Sequence, residues 1–476
     1  SISGPVQVKL STPDDIFAQM EAFRNSKYQV WNNELPMIRH GVGGYTSRTM
    51  LKRWNRHNEL LADAAEKASS LAMWLGVKEY PSDEISSSWV RTLWQQHHDG
   101  ITGTSIPNAY IYSVNDYVLA NKTFGKVLTD AVGSTVNHMD TQVQGEPIVI
   151  YNPLSFNRED VVEGSMQVAA EPTSIKVFDQ FGNEVLSQVT GYNTSTGKLN
   201  FIFAANVPSL GYAVYDVHLG ETSTMTSKLN ADEARLQMDN GRYRVSLNSR
   251  GDISQIFDIT QNRHILGSVQ QQMLADKSTT WPSWEIQYND VAASPIAFVD
   301  ENAAIKLVEN GPLRKTFRVS RSKNGSSFVQ YIQMNALTNR IDCINEVDWQ
   351  TRKTMLKVNF AFMFGNPMAT YDLSLGTIQR GNRSDNLYEV QGHQWADVTT
   401  PNQTFGVSIL NDCKYGWDKP NDNNLRLTLI HTPEVGSNYT YQGEQDLGVN
   451  HFTYSIFPHD GVWNEATQIE ASRLNQ

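Results

Sequence analysis

Trp94-Gln95-Gln96-His97-His98-Asp99-Gly100-Ile101-Thr102-Gly103-Thr104-Ser105 is the most informative stretch of this 476-residue chain. Two histidines and an aspartate close an amphipathic segment, and a Thr/Ser loop punctuated by Gly100 and Gly103 follows. An imidazole at a helix end can bind a metal, and a carboxylate beside it can hold a sugar hydroxyl or a further ligand position. Neighbouring helical side chains point about 100° apart, so at most one of His97 and His98 faces a given ion while the other packs or makes an outer hydrogen bond. On residue types alone a structural His pair is the commoner case, and both roles stay open.

Working outward, helical periodicity surrounds the motif. Ser47 opens a helix whose Leu51, Trp54, Leu61, Ala64, Ala68, Leu71 and Leu75 define an apolar face, closed by Gly76. Ser86–Gln96 reads as a second helix with Trp89 and Leu93 inward. Residues 107–139 read as a third, with Tyr110, Val114, Tyr117, Phe124, Leu128, Val132 and Val136 on one side. Three such segments on short loops predict a three-helix bundle over 47–144. From Gly145 the period shortens to two, with turn chemistry at Asp179–Asn183 and Asn240-Gly241. No βαβ rhythm appears, so the sheets are expected to be antiparallel sandwiches, a small one over 145–230 and a large one over 231–476. The fold class is therefore α+β and multidomain.

A net charge of −11 argues against nucleic acid, and no run of 18 apolar residues offers a membrane span. Cys343 and Cys413 are the only cysteines, expected to be free thiols with at least one buried. Among eleven tryptophans, Trp281 and Trp284 are read as core rather than as sugar-stacking rings. His393 and Asp397 are read as structural hydrogen-bonders.

The string from His97 to Ser105 resembles the signature of the retaining α-mannosidases of glycoside hydrolase family 38. Other stretches, in the right order, are similar to that family: Asn32-Asn33-Glu34-Leu35-Pro36, His40 to Arg48, Ile148 to Leu154, Pro208-Ser209-Leu210-Gly211-Tyr212, Asp348 to Lys353, and Phe452 to Trp463. The last is most like bacterial members. The resemblance implies that His98 is a zinc ligand, that Asp99 holds the bound mannose, and that His40 and Tyr45 line the sugar subsite. It implies a mutarotase-like supersandwich over 231–476. His431-Thr432-Pro433 departs from an Arg pair found in lysosomal and Golgi members, which removes any Arg-based recognition of the leaving group there. Thr102 and Thr104 are expected to tie the loop through side-chain to backbone bonds.

Family 38 enzymes carry their first His-x-Asp zinc motif, their nucleophilic Asp and their acid/base carboxylate on an N-terminal α/β domain. His-x-Asp occurs here at His97-His98-Asp99 and at His138-Met139-Asp140, and neither follows an N-terminal strand. Residues 1–46 are accordingly expected to be the tail of that domain, with a strand near Val6–Leu10 and a helix from Pro13. The expectation is the C-terminal portion of a zinc-dependent mannosidase, with one Zn2+ ligand and no catalytic carboxylate of its own. Its partners would be mannose-containing glycans and the N-terminal α/β domain, and a homo-oligomer is compatible with it. The competing reading is a non-catalytic β-sandwich that binds carbohydrate or serves as a scaffold, which has no use for a zinc-ligand loop.

Overall fold

Threonine before a proline starts α1, Pro13–Glu21. Asp15 N–H donates to Thr12 Oγ1 at 3.3 Å and the Asp15 carboxylate accepts from Thr12 N–H at 3.5 Å, a reciprocal capping box. The computed structural model describes residues 8–21, 29–172 and 174–476. Of the expected strand at Val6–Leu10, the first two residues lie outside the described ones, and Val8–Leu10 form no strand. The chain divides into Ser1–Pro36 and Met37–Gln476, so the smaller unit ends before the expected boundary at 46. Residues 37–46 go with the larger unit because Gly43 N–H donates to Trp284 O at 2.9 Å and lies flat on that backbone.

In the larger unit α2, Thr49–Trp74, α3, Ser82–Gln95, and α5, Pro107–Val136, pack together, with the short α4, His98–Ile101, between the last two. The buried residues of α2 include Leu51, Asn55, Asn58, Ala62, Ala64, Ala65, Ala68, Ser69 and Ala72. Of the expected face Leu51, Ala64 and Ala68 are buried, whereas Trp54, Leu61 and Leu71 are only partly buried and Leu75 is exposed. The buried face thus overlaps the expected one and is turned to one side of it. The cause is close approach: Ala62 and Ala65 let Ala120, Phe124 and Val127 of α5 and Ile85 of α3 pack directly against the α2 backbone. A leucine at the seam would hold the helices apart. Asn58 stays inside because its side-chain amide donates to Tyr117 O at 3.1 Å. In α3 the inward residues are Ile85, Ser88, Thr92 and Gln95, whereas Leu93, expected inward, is exposed.

Seven strands follow: β1 Glu146–Tyr151, β2 Arg158–Gln167, β3 Ile175–Phe178, β4 Glu184–Val185, β5 Ser187–Asn193, β6 Lys198–Val207 and β7 Tyr212–Leu219. They form sheets ordered β1-β7-β3-β4 and β2-β6-β5 around Val177, Phe201, Phe203, Tyr215 and Val217. Residues 221–229 carry no strand. Beyond them a ten-stranded and a nine-stranded sheet share one core that includes Tyr243, Trp349, Tyr371, Trp417 and Tyr454. Every strand pairing among the described residues is antiparallel. Cys343 and Cys413 are both free and buried.

Thr354–Phe362 is central to the ten-stranded sheet and is buried at nearly every position, because both its faces are covered. Lys357 therefore sits in the interior. Its ammonium is neutralised by Glu389 Oε2 at 2.6 Å and Asp418 Oδ1 at 2.9 Å, with Thr428 Oγ1 at 2.6 Å. Asp397 accepts from Ser408 at 2.9 Å and lies 2.7 Å from His459 Nε2, the structural role expected of it. Arg56 fastens α2 to this region through Tyr415 Oη at 2.9 Å and Asn475 Oδ1 at 3.1 Å.

Candidate functional site

The histidine motif is built on a break between helices. Helix α3 ends at Gln95, and His97 is extended at φ −50°, ψ 139°. His97 O then accepts from Gly100 N at 2.8 Å and Ile101 N at 3.1 Å, which starts α4. A side chain at Gly100 would lie 2.8 Å from Gln95 O, and Gly103, at φ +81°, would place a Cβ 2.6 Å from Ser47 O. Both turns need glycine for that reason.

This break corrects the angular argument about the two histidines. They do not follow one another along a helix, and their rings lie 4.2 Å apart. Ligand atoms of His97, His98 and Asp99 all fall within 4.8 Å of one another. His97 Nδ1 accepts from Asp99 N–H at 3.3 Å, so that nitrogen is unprotonated and serves as a helix cap. His98 is highly exposed, at 77% of its side chain, with Nε2 3.3 Å from Asp99 Oδ2.

Asp99 is held from the other side by Thr104 Oγ1, which donates to Oδ1 at 3.0 Å. Thr102 Oγ1 lies 2.8 Å from Thr104 Oγ1 and also reaches His98 O. With one hydrogen per hydroxyl, only two of these three contacts are hydrogen bonds at a time. Thr102 thus makes the expected backbone contact, whereas Thr104 acts on the Asp99 side chain. Tyr110 Oη closes the loop, accepting from Ser105 N at 2.6 Å and donating to Asp99 O at 3.2 Å.

Beneath the loop lies Lys52, which no local sequence signal singles out. Its Nζ donates to Ile101 O at 2.7 Å and to Ser47 O. Burial lowers this ammonium to about 7, although Asp446 nearby opposes the shift. Asp446, itself raised by burial, accepts from Thr49 N–H at 2.7 Å and so caps the start of α2 from a distant loop.

The 40–47 segment joins this loop to a second one. Gly44 touches Thr102, where a Cβ would come within 3.2 Å of the threonine Cβ, and Ser47 Oγ donates to Ser283 O at 2.6 Å. His40 is exposed, stacks on Trp284 at 5.1 Å and 12°, and places Nδ1 2.9 Å from Glu285 Oε1. Tyr45 is half-buried against the cluster of Val42, Leu274, Ile286, Val291, Met355 and Tyr388. Trp281, read from sequence as core, is 42% exposed and meets the His40 ring edge-on at 5.9 Å. It sits outside because Pro282 and Ser283 take the buried positions of that turn. His431 is fully buried, with Nε2 3.0 Å from Pro282 O and Nδ1 2.7 Å from Asp276 Oδ2. Burial acts to lower its pKa, but the Asp276 carboxylate outweighs burial and raises it.

Imidazole nitrogens and a carboxylate oxygen suit a borderline-soft divalent ion such as zinc. His98 is exposed and Asp99 half-buried on a braced loop, so these donors fit a metal whose remaining ligands come from elsewhere.

Two family models match the chain in order: the alpha mannosidase middle domain over residues 42–134 and the glycosyl hydrolases family 38 C-terminal domain over residues 238–435. The chain belongs to glycosyl hydrolase family 38. Alpha-mannosidase G of Dictyostelium discoideum is 27% identical over 98% of this chain and 45% of its own length. Alpha-mannosidase 2C1 of Mus musculus is 26% identical over 98% of this chain and 42% of its own. This family 38 chain thus spans less than half the length of either relative. The solved structure of an alpha-mannosidase from Enterococcus faecalis V583 superposes with a TM-score of 0.80, covering 97% of this chain and 61% of that one. At 17% identity that likeness shows the family 38 fold alone.

Proposed function

We propose that this chain is the middle and C-terminal part of a zinc-dependent retaining α-mannosidase that removes terminal α-linked mannose from glycans. In this reading His98 coordinates zinc, Asp99 holds mannose hydroxyls, and Tyr45 and His40 line the sugar subsite. The division into a bundle over 47–144, a small sandwich over 145–230 and a supersandwich over 231–476 belongs to the same proposal. A retaining glycosidase needs two carboxylates about 5–5.5 Å apart. We place both, and the remaining zinc ligands, in the part of the enzyme N-terminal to the matched region. Zinc held there would supply Lewis-acid binding of the sugar hydroxyls.

The observation that carries the reading is the placement of His98 and Asp99 side by side and accessible, on a loop braced by Thr104, Tyr110 and Lys52. Bracing of this kind fixes a ligand and a hydroxyl acceptor before substrate arrives. The test compares this polypeptide with the full-length enzyme on an aryl α-mannoside. The expected result is turnover by the full-length enzyme and none by this polypeptide. Turnover by the isolated polypeptide would place the carboxylates inside it and overturn the assignment.

A further inference from the structure

We infer that Trp281, with His40, Tyr439 and Tyr441, forms a platform for the sugar ring on the leaving-group side of the scissile bond. This rests on the proposed removal of terminal mannose. If the cleaved residue is terminal, every other ring of the glycan lies on the leaving-group side. A binding surface next to the site therefore has that ring as its occupant.

The aromatics make a continuous row in which His40, Trp281 and Tyr441 are exposed and Trp284 and Tyr439 are half-buried. Trp284 stacks under His40, Trp281 meets His40 at 5.9 Å, Tyr439 meets Trp281 at 5.6 Å, and Tyr441 meets Tyr439 at 6.4 Å. Trp281 is 42% exposed and Tyr441 38%. A cluster of large rings left in water is costly unless something covers it. The chemistry of this one suits a hexopyranose: flat ring faces match the C–H face of the sugar, and Glu285 and His40 offer hydrogen-bonding groups at the edge.

The platform is also preformed. Trp284 and Glu285 N–H groups both donate to Trp281 O at 3.0 Å, closing the turn. The buried Ser283 ties that turn to the segment bearing both tyrosines, its N–H donating to Gln442 Oε1 at 3.0 Å and its hydroxyl to Gln445 Oε1 at 2.7 Å. The turn that carries Trp281 and Trp284 is joined to the Asp99 loop through the 43–44 backbone. Gly43 lies on the Trp284 backbone and its neighbour Gly44 on Thr102, three residues beyond Asp99. Ordering the rings beforehand lowers the entropic cost of binding a flexible glycan.

The test uses the full-length enzyme with two substrates, α-mannobiose and α-mannosyl fluoride, the second having no sugar ring to leave. In Trp281→Ala the ratio of kcat/KM for mannobiose over the fluoride should fall about tenfold, and Trp281→Phe should restore most of it. An unchanged ratio in Trp281→Ala, whatever the absolute loss, overturns the platform. If the unsubstituted enzyme turns over neither substrate, the proposed function fails instead. Titration with mannobiose by calorimetry then decides: binding weakened in Trp281→Ala supports the platform, and binding that is equal in both proteins or absent from both overturns it.

Discussion

Thr104 Oγ1 donates to Asp99 Oδ1 at 3.0 Å, so the carboxylate proposed to hold mannose is oriented by a hydroxyl five residues along the chain. The contact fixes one carboxylate oxygen and leaves Oδ2 beside His98 Nε2. Thr104→Val keeps the shape and removes the donor. In the full-length enzyme it should lower kcat/KM for an aryl α-mannoside roughly three- to tenfold, with zinc content unchanged. Loss of zinc in this variant would mean that Thr104 supports the ligand rather than the substrate contact.

Gly103 tests the loop itself. At φ +81°, with Ser47 O 2.6 Å from where a Cβ would sit, Gly103→Ala is strained by both conformation and contact. It should cost about 1–3 kcal/mol in urea unfolding. Gly76, also at positive φ but with nothing near its added Cβ, is the control and should cost less when replaced by alanine.

Lys52 predicts a pH signature. Its pKa falls from 10.5 to about 7 on folding, chiefly through burial. The unfolded chain therefore holds more protons than the folded one between those values, and this residue makes stability rise with pH across that window. In Lys52→Met the rise should be smaller than in the unsubstituted protein, as measured by urea unfolding from pH 6 to 10. Equal slopes would show that Lys52 keeps its ordinary pKa.

The buried cluster around Lys357 acts with the same sign in an acid window. Burial acts to raise the Asp418 carboxyl, but Arg426 and Lys357 outweigh it and hold it at about 2. A lowered carboxylate contributes stability above its ordinary 3.8, and that contribution is lost as pH falls toward 2. Asp418→Asn should cost about 3–5 kcal/mol near neutral pH, because Lys357 and Arg426 lose their shared counter-charge. The gap between variant and unsubstituted protein should close as unfolding is measured at progressively lower pH.

The histidine loop and the change from helices to antiparallel sheets were legible because both are written locally, in glycine spacing and in hydrophobic period. What escaped depends on partners distant in sequence. Leu61, Leu71 and Leu75 look like a core stripe, yet the α2 seam is set by Ala62 and Ala65, whose value lies in being small against α5. Lys52, between Leu51 and Arg53, reads as a surface lysine until Ile101 O and Asp446 are brought to it by the fold. Likewise His97 looks helical, and only the close approach of Gly100 to Gln95 O shows why the helix must stop first. Trp281 reads as core on abundance alone, and only the burial of Pro282 and Ser283 in its turn shows why it sits outside.

Zinc content measured together with kcat/KM in the full-length enzyme tests the assignment of His98 and Asp99 most directly. His98→Ala should lose zinc and activity together. Asp99→Ala should keep its zinc and lose kcat/KM sharply, and His97→Ala should cost less than either, since its Nδ1 serves as a cap for Asp99 N–H. An enzyme that keeps zinc in His98→Ala but loses it in His97→Ala would contradict the account, placing the metal on the other histidine.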